Sequence, residues 1–212
     1  ILMEEALNDD RRNSHYYGIQ QISCSWLPIF ELVLSLAVII TTFSLFIKQG
    51  LFNKEKWPTI SETGRKYPQN KIFAVGLSVL GVLFLFLGFI MLFILYLSGI
   101  LWAKKVAFVP VVCCVLLICM SCCGLDDQPF LHGTFAISGF FFLLVFIFIV
   151  HIGMTKAGKM KCKIFKTVIL ACGSLMVVVL AILTPMEETP FICCAKAIVE
   201  YILVAFLFVY IA

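Results

Sequence analysis

Two carboxylates, one histidine and a short proline-bounded run are the parts of this chain with the most chemical potential. Glu31 and Glu200 lie inside strongly apolar stretches, where an ionisable group is costly and is by default a functional candidate. At 1.5 Å per residue, Glu31 sits ~8 Å in from one end of its stretch and Glu200 ~12 Å in from the opposite end of its own. That separates them by ~10 Å in depth across a ~30 Å hydrocarbon core and argues against a shared-proton dyad of the acid-catalytic kind. Each also has a plainer role. Glu200 can glue helices through a hydrogen-bonded carboxyl, with Lys196 one turn earlier as a pairing partner, or it can contact an ion or a headgroup. Glu31 is close enough to the interface to reach headgroups.

His132 opens an apolar stretch and is followed by Gly133, Thr134, Ala136 and Ser138, small residues that let helices approach closely. A lone histidine at such a boundary reads first as an interfacial hydrogen bonder. His15 and His151 stand far from it along the chain, so the three histidines do not make one zinc site of the catalytic type. No HExxH, GxSxG, Walker or glycine-rich nucleotide loop occurs, and no cofactor or metal is expected. The ten cysteines fall mostly in apolar stretches, where a thiol behaves as a small apolar side chain. Two further readings stand beside that one: a disulfide joining Cys122 or Cys123 to Cys193 or Cys194, and palmitoylation at Cys24 or Cys162.

These residues must be positioned by membrane helices. Hydrophobic residues make up 62% and charged residues 13% of the 212, against roughly 45–50% and ~25% in soluble domains, so there is too little polar surface to face water. The net charge of +4 is too mild to argue for nucleic acid. About 20 apolar residues span the bilayer. The text divides into a polar segment, 1–25, and a six-span domain, 26–212, with spans at about 26–47, 72–97, 108–124, 132–150, 164–183 and 192–212. The division between the second and third spans falls at Ser98-Gly99 and Lys104-Lys105, because two adjacent lysines in hydrocarbon cost roughly 2.5–3.5 kcal/mol each. All seven prolines lie at span ends or in loops, as expected of a residue that breaks the helical ladder. The predicted fold is an all-α, polytopic six-helix transmembrane bundle with short loops.

With the N-terminus cytosolic, nine lysines and arginines fall inside and seven outside. The cluster Lys156, Lys159, Lys161, Lys163 and Lys166 is the strongest vote for that orientation. The segment Ile1–Gln21 is polar, without the apolar core of a signal peptide. The chain begins with Ile and stops inside the sixth span, as a piece of a longer protein would.

The most distinctive segment is Trp57-Pro58-Thr59-Ile60-Ser61-Glu62-Thr63-Gly64-Arg65-Lys66-Tyr67-Pro68. Its prolines restrict the chain, and Ser61, Thr63 and Gly64 favour turns. It reads as an ordered turn docked on the helix ends, or as a lid over an interfacial cavity. The run Pro58, Ile60, Ser61, Glu62, Thr63, Gly64 and Pro68 closely resembles the Pro-x-Ile-Ser-(Asp/Glu)-Thr-Gly…Pro motif of the DRAM family, the DNA-damage-regulated autophagy modulators. That family belongs to a wider superfamily with the post-GPI-attachment lipid-remodelling factors. Leu27-Pro28, Ile72-Phe73, His132-Gly133 and Glu200 before an aromatic agree in order, so the resemblance runs from Trp26 to Ala212. Glu31 and the cytosolic lysines have no match in it.

The resemblance implies a non-enzymatic, multi-pass protein of lysosomal or other endomembranes, alternatively of the Golgi or plasma membrane, regulating autophagy or membrane lipid organisation. A lipid-remodelling factor using Glu200 and His132 as a polar pair under the loop is the alternative. A small transporter or channel comes third, supported only by Glu31 and Glu200. The partners expected are membrane lipids, with the basic segment Lys156–Lys166 a contact for anionic headgroups, and other membrane proteins.

Overall fold

In the computed structural model, the described residues are 26–52, 57–160, 162–186 and 189–211. The N-terminal segment 1–25, with Arg11, Arg12, His15 and Cys24, lies outside them, as do Lys54, Lys56, Lys161, Glu187, Glu188 and Ala212. The elements are α1 (Trp26–Lys48), α2 (Ile60–Thr63), α3 (Gln69–Leu97), α4 (Phe108–Cys122), α5 (Pro129–Lys156), α6 (Lys163–Leu183) and α7 (Pro190–Ile211). A 3-10 helix, Leu101–Val106, precedes α4. Among the described residues five helical stretches are long and apolar enough to cross a membrane, one of them running from Leu101 through α4. The 22-residue α7 is the sixth long helix.

The chain is thus an all-α membrane bundle. Helices satisfy every backbone polar group internally, which is what a hydrocarbon solvent demands. Their outer faces carry Ile29, Val33 and Ile40 on α1, Phe86 and Phe93 on α3, and Phe148 on α5, all exposed. Such surfaces suit lipid and not water.

Helix boundaries differ from the sequence-based ones where tertiary contact intervenes. α3 starts at Gln69 rather than Ile72. Gln69 is fully buried, and its side-chain amide meets that of Gln49 at 3.0 Å, so a polar residue is carried into the helix. α5 starts at Pro129, a residue suited to a first turn because its missing N–H is not needed there, and it continues past Val150 to Lys156. Its last turns are held by the burial of Val150, His151 and Gly153. α4 has only 15 residues, ~22 Å at 1.5 Å per residue, which is short of the ~30 Å core. The 3-10 segment, rising ~2 Å per residue, makes up the difference, with Lys104 and Lys105 exposed on it.

The long helices pack largely on their neighbours in sequence: α1 on α3, α3 on α4, α4 on α5, α5 on α6 and α6 on α7. One core joins α3, α4 and α5 through Phe84, Leu92, Leu95, Val109, Cys113 and Phe146. The Phe84 and Phe146 rings meet edge to face at 5.1 Å. A second core joins α6 and α7 through Val177, Leu180, Val199 and Leu203. At Gly88 of α3 a Cβ would fall 2.5 Å from Pro110 Cβ, so the missing side chain sets the approach of α3 to α4. Among the described residues α1 and α7 are not one of the closely packed helix pairs.

Candidate functional site

The motif run folds as a capped helical turn over the end of the bundle. Thr59, Ile60, Ser61 and Glu62 form a capping box. Thr59 Oγ1 accepts the Glu62 N–H at 3.1 Å, and Glu62 Oε2 accepts the Thr59 N–H at 2.9 Å. This reciprocal arrangement is what a Thr-x-x-Glu spacing is built to make. Thr63 closes the turn by donating from Oγ1 to the Ile60 carbonyl at 2.7 Å.

Five parts of the bundle hold this turn. From α7, Glu200 Oε2 accepts the Ile60 N–H at 2.9 Å, and the Tyr201 hydroxyl donates to the Pro58 carbonyl at 3.4 Å. From α1, the hydroxyl of Thr42 lies 3.2 Å from that of Thr63, both residues being buried. Just past the end of α1, Gln49 Nε2 donates to the Tyr67 carbonyl at 3.1 Å. From α3, Phe73 packs so closely on Gly64 that a Cβ there would fall 2.5 Å from its ring. From the loop between α4 and α5, Asp126 pairs with Arg65. Both partners of that pair are nearly half exposed, a setting in which an ion pair contributes only ~0–1 kcal/mol. The buried contacts hold the turn.

Beneath the turn lies an apolar cavity of about 200 Å³. Its wall is drawn from α1 (Glu31, Ser35, Val38), α3 (Phe73, Leu77, Leu80), α4 (Leu117, Met120), α5 (Phe140, Leu143) and α7 (Glu200, Val204), and Ile60 and Ser61 roof it. A second apolar cavity of about 130 Å³ meets the first at Pro28 and Phe84 and continues to Lys166 and Tyr210 at the other end of the bundle. On the far side of Ser61 and Glu200 is a third, larger and more polar cavity of about 490 Å³. It is bordered by Glu62, His132, Thr134, Thr184 and Lys196.

The sequence placed Glu31 and Glu200 in opposite halves of the membrane, yet both line the first cavity. No hydrogen bond joins them. Glu200 is committed to the motif turn, whereas Glu31 Oε2 is buried without a partner. The Lys196–Glu200 pair allowed by the sequence does not form as a salt bridge. Lys196 Nζ instead donates to the Thr184 carbonyl at 3.2 Å, and Glu200 accepts from backbone.

His132 is buried, with Nδ1 2.8 Å from the Cys123 carbonyl. A carbonyl only accepts, so Nδ1 carries the proton, and in the neutral ring Nε2 is an acceptor. Nε2 is buried with no partner. His151, at the other end, is fully engaged: Nδ1 lies 3.1 Å from the Tyr210 hydroxyl and Nε2 3.1 Å from Thr167 Oγ1. In the basic segment, Lys166 Nζ stands 5.4 Å over the Tyr210 ring, a cation–π arrangement, and Lys159 donates to Ser98 at 2.9 Å.

No disulfide joins the described cysteines, so the one considered between Cys122 or Cys123 and Cys193 or Cys194 is not formed. Among the described residues no group of three or more His, Cys, Asp or Glu is placed to hold a metal.

The fold thus brings Ile60, Ser61, Glu62 and Glu200 together, with His132 across the polar cavity and Glu31 deeper in the apolar one. Thr42, Tyr201 and Thr184 escaped notice in the sequence. Threonine in an apolar helix commonly bonds its own carbonyls, as Thr42 does to Val38 at 2.9 Å, so no local pattern marks the ones that also meet a loop.

No curated protein and no solved structure matches the chain. The family model described as the Frag1/DRAM/Sfk1/Cwh43P N-terminal domain matches residues 23–212, a stretch that holds the capped turn, its Glu200 anchor and every wall of the three cavities. The chain belongs to the Frag1/DRAM/Sfk1/Cwh43P family.

Proposed function

We propose that this protein is a non-catalytic membrane regulator that works by holding a lipid. The acyl chain lies in the apolar cavity under the motif turn. One observation carries this reading: the cavity is walled by apolar side chains from five helices and roofed by the motif turn. Apolar pockets with a few placed polar groups are the general form of a small-molecule site. In a bilayer the molecules at hand to fill one are lipids. On this reading Ile60 and Ser61 are the roof and Glu200 is the strut that keeps it in place.

The test is crosslinking to a phospholipid with a photoactivatable group on its acyl chain. Val204→Trp fills the cavity and is expected to lower labelling about tenfold, the change that ~1.4 kcal/mol of lost binding produces. Val33→Trp, on the exposed face of α1, leaves labelling unchanged. Equal labelling of both variants and the unaltered protein would reject the cavity as the site.

Family membership also supports placing the protein in lysosomal or other endomembranes, with a role in autophagy or lipid organisation and the N-terminus in the cytosol. A tagged copy should then coincide with lysosomal rather than Golgi or plasma-membrane markers. Its motif turn should be closed to cytosolic cysteine reagents when Ser61 is replaced by Cys. Labelling of that cysteine from the cytosol contradicts the orientation.

A further inference from the structure

We infer that the polar cavity of about 490 Å³ is a headgroup site for a phospholipid bearing a primary ammonium. This rests on the lipid-holding reading above and names the lipid class. Ser61 and Glu200 border both this cavity and the apolar one, so a polar and an apolar compartment stand back to back with one shared wall, the division that an amphiphile has. Phe130, 83% exposed, also borders the polar cavity, so an exposed apolar side chain forms part of the headgroup compartment's rim.

The chemistry of the wall selects the headgroup. His132 is 95% buried and spends Nδ1–H on the Cys123 carbonyl, which leaves Nε2, buried and unpartnered, as an acceptor in need of an N–H or O–H donor. The carboxyls of Glu62 and Glu200, each already accepting a backbone N–H of the motif turn, add acidic oxygens to the same wall. Lys196 is the one cation among the residues bordering the cavity. A wall with several acceptors and one ammonium complements a zwitterion whose own ammonium donates to the acceptors while its phosphate faces the lysine. Phosphoethanolamine meets both demands. Phosphocholine carries the same charges but has no N–H to give, and a buried acceptor left unpaired is penalised. Phosphoserine adds a carboxylate that would face Glu62 and Glu200.

The full chain is reconstituted in vesicles of equal parts phosphatidylethanolamine, phosphatidylcholine and phosphatidylserine, and the lipid retained on extraction is measured by native mass spectrometry. Phosphatidylethanolamine is expected at about fivefold or more over phosphatidylcholine, the ratio that ~1 kcal/mol of differential binding gives. His132→Phe, and independently Lys196→Met should the histidine variant fail to fold, are expected to bring the ratio to parity while total retained lipid persists. Lipid retained by the unaltered protein at parity between ethanolamine and choline, or with serine preferred, overturns the headgroup assignment and leaves the acyl-chain reading standing. No retained lipid of any class overturns both.

Discussion

Replacing Glu200 with Ala is expected to free the motif turn and to lower the stability of the bundle by about 1–3 kcal/mol, the range for removing the acceptor of a partly buried donor. The donor is the Ile60 N–H, held at 2.9 Å. It belongs to the first turn of α2, where the backbone offers no other acceptor. Gln at the same position keeps an oxygen in place, so Glu200→Gln should lose less than Ala does. Two measurements read the effect: the temperature of half-unfolding in detergent, and trypsin cleavage after Arg65 and Lys66, which sit just beyond the turn. An Ala variant as heat-stable and as trypsin-resistant as the unaltered protein would remove Glu200 as the anchor. Tyr201→Phe provides the scale, because its hydrogen bond is long at 3.4 Å and its loss should be small.

The second large effect is expected at Gly64. Its φ of −94° is open to any residue, so backbone strain is not the reason for glycine here. Space is. A Cβ would stand 2.5 Å from Phe73 Cγ and 2.7 Å from Phe73 Cβ. Those atoms are the root of the side chain, not its free end, and cannot swing aside. Gly64→Ala should therefore cost about 1–3 kcal/mol, the usual range for overpacking. If this contact is the cause, Phe73→Leu combined with Gly64→Ala should lose less than the two single changes added together, since residues in contact couple. Additive losses in that cycle would place the cost elsewhere. Phe73 also lines the apolar cavity, so the same pair links the seating of the motif turn to the shape of the lipid compartment.

Much of the site's composition is visible along the chain. The turn is legible from its prolines and from Ser61, Thr63 and Gly64, whereas the capping box between Thr59 and Glu62, although local and closed within a single turn, is visible only in the structure. The run containing Pro58, Ile60, Ser61, Thr63, Gly64 and Pro68 marks itself as ordered through residue types that restrict the backbone. Glu200 and His132 stand out because ionisable groups are rare where the surroundings are apolar. Depth arithmetic places Glu31 and Glu200 at different levels, but a cavity that runs along the bundle can be lined at both levels at once, and depth by itself is silent on that. Lys196 shows the opposite failure. Helical spacing sets it beside Glu200, whereas its ammonium reaches Thr184 on the neighbouring helix, because a long flexible side chain goes to the acceptor the fold supplies.

The class of the fold and the number of long helices follow from hydropathy and length alone, since a bilayer leaves the backbone few ways to satisfy its polar groups. The ordered turn follows from residue types that restrict the backbone, which needs only neighbours in the chain. Tertiary structure alone decided that Ile60 meets Glu200, 140 residues away, that Gly64 meets Phe73, and that five helices enclose an apolar cavity under the turn. Those outcomes depend on which helix faces pack against one another. In six segments that are apolar nearly all round, no polar stripe along the sequence records that choice.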